Sequence, residues 1–260
     1  MDKDGAIQYG TYRVKHKNPV KELHMRIKII STLVVLVLLF FSLSAHAEMF
    51  LQGGFESYAG PNKLFNFTPW IGLRLSLSYN TSLLFKVYNH NIRFRFQSSE
   101  TNHIQRNAHL TNFTTALFTQ KDGNEFYTSV SYFTGSDSYD SLVVDMGTGI
   151  KIFEWATLET GIYLLREKSV LWYPDEDVRN ILLYSIKGGF KFKIKKWLSI
   201  APKIYLFENS EKVKSSTLSL SLIVMPKKPI FVTLTYLRYS ESAQYKFSGN
   251  YFAIGLNFYY

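Results

Sequence analysis

From residue 49 onward the chain alternates apolar and polar side chains with a period of two, and it does so in twelve separate stretches. Successive side chains of a β-strand point to opposite faces. Each stretch therefore reads as a strand with one apolar and one polar face. In Leu198 to Leu206 the positions Leu198, Ile200, Ile204 and Leu206 oppose Ser199, Ala201, Lys203 and Tyr205. In Leu182 to Ile194 the residues Leu182, Tyr184, Ile186, Phe190, Phe192 and Ile194 oppose Ser185, Lys187, Gly189, Lys191 and Lys193. The twelve stretches fall at approximately 49–58, 68–78, 82–97, 108–119, 125–134, 141–153, 156–166, 180–194, 197–207, 215–225, 230–239 and 251–260. The third changes phase: Leu83, Phe85 and Val87 are odd-numbered, whereas Ile92, Phe94 and Phe96 are even-numbered. A one-residue β-bulge at Asn89-His90-Asn91 is expected to absorb that slip. A turn there would alter the count, so ten or fourteen strands are the neighbouring solutions.

The segment before the alternation is of another kind. Arg26 and Lys28 precede an apolar run, Ile29 to Leu43, which ends in Ala45-His46-Ala47 ahead of Glu48. A basic start, a short apolar core and a small-x-small site are the marks of a cleaved secretory signal over 25–47. A spanning helix needs about 20 apolar residues, and this run falls short. Residues 1–24 are polar and lack a hydrophobic period, which fits a start codon assigned upstream of Met25. The mature chain is then expected to be 48–260, one domain. Its 23 Lys/Arg and 17 Asp/Glu leave a net charge of +6. The chain has no cysteine, so an exported fold must be held by hydrogen bonds and packing.

Connections between the stretches alternate short and long. Tyr79 to Thr81, Gln120 to Asn124, Glu154-Trp155, Lys195-Lys196 and Pro226 to Pro229 are short; Ala59 to Phe67, Ser98 to Asn107, Gly135 to Asp140, Glu167 to Arg179, Glu208 to Lys214 and Ser240 to Asn250 are longer. Transmembrane barrels have short turns at one rim and long loops at the other. The apolar faces carry almost no charge, and the polar faces are rich in Gly, Ser, Ala and Thr. Twelve apolar stripes exceed what one small interior can bury. They are accounted for if they face lipid, where closure satisfies every backbone group. Trp155 and Trp197, in or beside short turns, suit an interfacial aromatic belt. The expected fold is all-β, a closed antiparallel up-and-down transmembrane β-barrel of about 12 strands.

The last stretch sharpens this. Phe252, Ile254, Leu256, Phe258 and Tyr260 are apolar or aromatic at every second position and end on an aromatic residue. This resembles the closing strand of bacterial outer-membrane β-barrels. The resemblance implies an integral outer-membrane location, insertion by barrel-assembly machinery, and contact with outer-membrane lipid and lipopolysaccharide. It is a resemblance of class and points to no single family.

Function should then show on the inward face. The register places Arg74, Lys86, Arg93, Arg95, Lys151, Lys187, Lys191, Lys193 and Lys203 inside, against Glu56, Asp145 and Glu159. Such an excess would favour anions, and by architecture and charge it resembles channels for acidic oligosaccharides. The leading expectation is a passive, porin-like channel for small or anionic solutes. A structural or accessory barrel with a plugged lumen is the alternative, because inward Lys and Arg also pair with inward carboxylates. A lipid or lipopolysaccharide hydrolase at the rim would need a Ser–His pair, for which Ser98, Ser99, His103 and His109 are the candidates. No hydrolase motif surrounds them. Tyr173-Pro174-Asp175-Glu176-Asp177 reads as a solvated acidic loop before it reads as a cation site. No cofactor, metal or nucleic-acid partner is implied, and the oligomeric state is not encoded in the pattern.

Overall fold

The computed structural model describes residues 48–97, 103–136, 138–171, 178–227, 229–242 and 247–259. The signal segment 25–47, the stretch 1–24, Ser98, Ser99, the 173–177 acidic loop and Tyr260 lie outside these residues. Every regular element among them is a strand: β1 (Glu48–Gly60), β2 (Leu64–Ser76), β3 (Thr81–Gln97), β4 (His103–Lys121), β5 (Asn124–Gly135), β6 (Asp140–Phe153), β7 (Ala156–Ser169), β8 (Arg179–Lys195), β9 (Leu198–Asn209), β10 (Lys214–Lys227), β11 (Ile230–Glu241) and β12 (Gly249–Tyr259). Each pairs antiparallel with its sequence neighbours. β1 and β12 close the ring through Gln52↔Tyr259 to Ala59↔Phe252. Closure removes both sheet edges, so every strand has partners on two sides.

The outward face is apolar and uncovered. Ile186 is 61% exposed and Phe252 65%, with Leu218, Leu220, Leu182 and Ile254 similarly bare. An exposed apolar surface of this extent is unfavourable in water and marks contact with lipid. On β12 the outward residues are Phe252, Ile254, Leu256 and Phe258. Tyr251, Ala253, Gly255 and Asn257 lie on the inner face, paired with the inward positions of β11.

The two rims differ as the loop lengths require. At one rim, two-residue turns join β4–β5, β6–β7 and β8–β9. Asp122 and Gly123 both take positive φ, 53° and 80°. That is the hairpin turn whose twist matches paired strands, and Asp-Gly favours it. Neighbouring turns are tied together at this rim: the Lys193 amide donates to the Trp155 carbonyl at 2.8 Å, and the Met225 amide to the Trp197 carbonyl at 2.8 Å. Trp155 and Trp197 remain exposed there, and Trp155 stacks on Phe153 with centroids 5.3 Å apart. The other rim carries the longest connections, 170–178 and 242–248, but the expected long loop from Ala59 to Phe67 is reduced to 61–63, because β1 and β2 stay paired out to Gly60↔Leu64.

The third strand departs from expectation. β3 pairs with β4 without a break from Thr81↔Thr119 to Gln97↔His103. There is no bulge at Asn89-His90-Asn91. What changes along β3 is which face is apolar. Leu83, Phe85 and Val87 face outward, whereas Ile92 and Phe94 face inward and are buried. β3 and β4 have 17 and 19 residues, well beyond the roughly 9–11 that cross a bilayer. Past that band a strand follows the rule of a soluble barrel, apolar inside and charged outside. Arg93 and Arg95 therefore lie on the outer face, opposite the expected lumen position.

Candidate functional site: the lumen

The middle of the lumen is built from one device used three times. Lys187 on β8 sits directly opposite Gly161 on β7. A methyl group at Gly161 would come within 2.7 Å of the Lys187 Cε. The glycine leaves the space in which the lysine stem crosses β7, and the ammonium reaches Asp145 on β6 at 2.5 Å. Lys203 on β9 crosses Gly189 on β8 in the same way and reaches Glu159 on β7 at 2.5 Å. Lys86 on β3 crosses Gly72 on β2, within electrostatic reach of Glu56 on β1. Its ammonium also lies 3.9 Å from the centre of the Trp70 ring, a favourable cation–π placement. Tyr127 extends the pattern. Its ring lies over Gly147, and its hydroxyl donates to Asp145 at 3.3 Å.

These contacts define a waist of paired charge. Each of the three expected inward carboxylates, Glu56, Asp145 and Glu159, faces a lysine. A half-buried ammonium without a partner is costly to desolvate, and an adjacent carboxylate offsets that cost. The waist therefore contributes little net charge to the lumen.

At the short-turn rim the inner face carries Arg74, Lys191 and Lys193 against Glu125. Arg74 lines the lumen there and donates to Ser82 Oγ at 3.1 Å. Lys191 lies on the inner face opposite Thr157, and Lys193 is nearer the rim opposite Ser199. Lys151 is bonded to Glu154 at 2.5 Å. That bond and its charge hold the turn carboxyl of Glu154 below the ordinary carboxylate range. A polar cavity of about 420 Å³ opens between Arg74, Lys86, Gln52, Gln120 and Glu125.

The long-loop end has the opposite character. On the β2–β6 side, Leu64, Ile92, Phe94, Ala108 and Leu110 pack with Tyr139 and Leu171 into a buried apolar cluster. Phe94 and Leu171 are fully buried. On the β7–β12 side a second cavity, of about 480 Å³, lies beside this cluster. Neither the cluster nor the second cavity was read from the sequence. Their signal was there in the even-numbered phase of Ile92 and Phe94.

Of the hydrolase candidates only His109 has a described side chain; Ser98 and Ser99 lie outside the described residues, and His103 is described in its backbone alone. His109 is exposed and its Nδ1 is hydrogen-bonded to Asn91 Oδ1 at 2.8 Å. It pairs on the odd, outward face of β3 and β4. The described residues contain no group of three or more His, Asp or Glu able to hold one metal ion.

No protein-family model matches the sequence, and no curated protein matches it either. Solved structures do match the fold. An outer-membrane channel from Pseudomonas putida F1 aligns over 82% of this chain and 94% of its own, at 8% identity and a TM-score of 0.57. The NanC porin aligns over 81% and 99%, at 10% identity and 0.51. The translocator domain of the autotransporter NalP from Neisseria meningitidis aligns over 92% and 97%, at 8% identity and 0.53. The chain thus shares the fold of bacterial outer-membrane channels and porins, and at these identities the likeness is one of fold.

Proposed function

We propose that this protein is an integral outer-membrane channel for passive passage of small solutes, with its short turns in the periplasm and its long loops outside. The orientation follows the general rule for such barrels. The exposed apolar wall supports the location, and the shared fold is consistent with it. Insertion by barrel-assembly machinery and contact with lipopolysaccharide around the long-loop rim belong to the same reading.

The observation that carries the channel reading is the waist. Three lysines lie flat against the wall over glycines, with a cavity toward each rim. Side chains meant to fill a lumen would cross it; these hug its surface. Selectivity for anions is weak in this account. Two of the nine expected inward cations face outward, three more face a carboxylate at the waist, and Lys151 is held by Glu154. The remaining cations, Arg74, Lys191 and Lys193, outnumber Glu125 on the same inner face and favour anions from the periplasmic side alone.

A plugged, accessory barrel is the competing reading, favoured by the apolar cluster around Phe94 at the outer end. Liposome swelling separates the two. Proteoliposomes containing residues 48–260 should swell in small uncharged sugars and exclude larger oligosaccharides. Swelling no faster than protein-free liposomes with every sugar would support the plug.

A further inference from the structure

The cavity at the long-loop end has a chemistry of its own. One wall is aliphatic, from Leu64, Leu165, Leu183 and Leu237. Another is aromatic, from Tyr58, Tyr239, Tyr251 and Phe247, with Tyr239 and Tyr251 meeting edge-to-face at 6.5 Å. Two carboxylates, Glu167 on β7 and Glu241 on β11, open onto this apolar space. Glu167 is buried and accepts from the Tyr139 hydroxyl at 3.2 Å; Glu241 accepts from the Tyr239 hydroxyl at 2.8 Å. The contrast with the waist is direct. Asp145 and Glu159 each have a lysine at 2.5 Å, whereas Glu167 and Glu241 form no ion pair with a described residue. The third carboxylate on the cavity, Glu211, is already held by Arg179 at 3.6 Å.

Burial raises both carboxyls, Glu167 to about 7, and a cation beside them would favour the charged form. Aromatic faces attract cations, and apolar walls favour a hydrocarbon body. We infer that this vestibule is a binding site for amphipathic organic cations, an ammonium head on an apolar or aromatic body. The head would sit between the tyrosine faces and the carboxylate of Glu241 or Glu167. The body would lie along the leucines. The site is upstream of the waist, and occupancy does not require that the waist conduct.

The probe is benzyltrimethylammonium, titrated calorimetrically into the folded barrel in an uncharged maltoside micelle. Benzenesulfonate, benzyl alcohol and tetramethylammonium serve as comparisons. The cation with the apolar body should bind at least about tenfold more tightly than each of the three, a difference of about 1.4 kcal/mol. Glu241→Gln should weaken it about fivefold, and Glu167→Gln should do the same. Should Glu167→Gln not fold, Leu237→Trp, which fills the cavity, replaces it and should abolish binding. Equal binding of benzyltrimethylammonium, benzyl alcohol and benzenesulfonate would overturn the inference. So would unchanged affinity in the carboxylate variants. Because the titration reads binding in micelles, its failure leaves the conductance reading standing, and the reverse also holds.

Discussion

At Gly161 the barrel wall has no side chain because a lysine lies across it. A methyl group there would stand 2.3 Å from the Met146 carbonyl oxygen as well as against Lys187. Neither neighbour can be avoided without moving backbone or breaking the ion pair with Asp145. Gly161→Ala should therefore destabilise the barrel by about 1–3 kcal/mol, the range for overpacked sites. At Gly188, on β8, a methyl group would meet only the Glu159 carbonyl oxygen at 4.0 Å, an ordinary contact, so Gly188→Ala should fall within about 0.5 kcal/mol of the parent. Urea unfolding in lipid, read by tryptophan fluorescence, measures both. An equal loss at the two positions would show that the lysine does not need the glycine. The lysines themselves were legible as inward residues from the alternation. Their partners were not, because a glycine in a strand gives no sign of which long side chain will cross it from the next.

At the scale of the strand, β3 is the informative case. Alternation fixes faces only while one face stays apolar, and on β3 the apolar face switches from outward to inward between Val87 and Ile92. The sequence pattern of such a switch is the same as that of a bulge, and only the unbroken pairing with β4 distinguishes them. The outcome reverses Arg93 and Arg95. The native chain has no cysteine, so single cysteines report the register directly. Cysteine at Arg93 should react with a membrane-impermeant maleimide, since Arg93 is exposed. Cysteine at Phe94, which is 0% exposed, should stay unlabelled until the barrel is unfolded. Labelling in the opposite order would restore the bulge. β2 also begins earlier than expected, at Leu64. Asn66 and Thr68 face inward and are buried, and polar residues on a buried face blurred the alternation there.

For the whole molecule, strand number, closure and the two unlike rims were readable because they rest on many independent stripes and on loop length. The lumen was less so, since its net charge depends on which cations meet carboxylates across two strand spacings. An epitope placed within 170–178 should bind antibody on intact cells, and one placed at Glu154-Trp155 should bind only after the outer membrane is breached. The reverse pattern would invert the barrel.

The central claim is a conducting lumen whose waist is electrically balanced and whose cationic excess sits at the short-turn rim. Reversal potentials across planar bilayers under a salt gradient test it most directly. The account predicts discrete conductance steps with a modest anion preference. In the Asp145→Asn, Glu159→Gln double variant, which leaves Lys187 and Lys203 uncompensated, that preference should become strong. Cation preference in the parent protein, or a bilayer that stays silent with folded protein present, would contradict it.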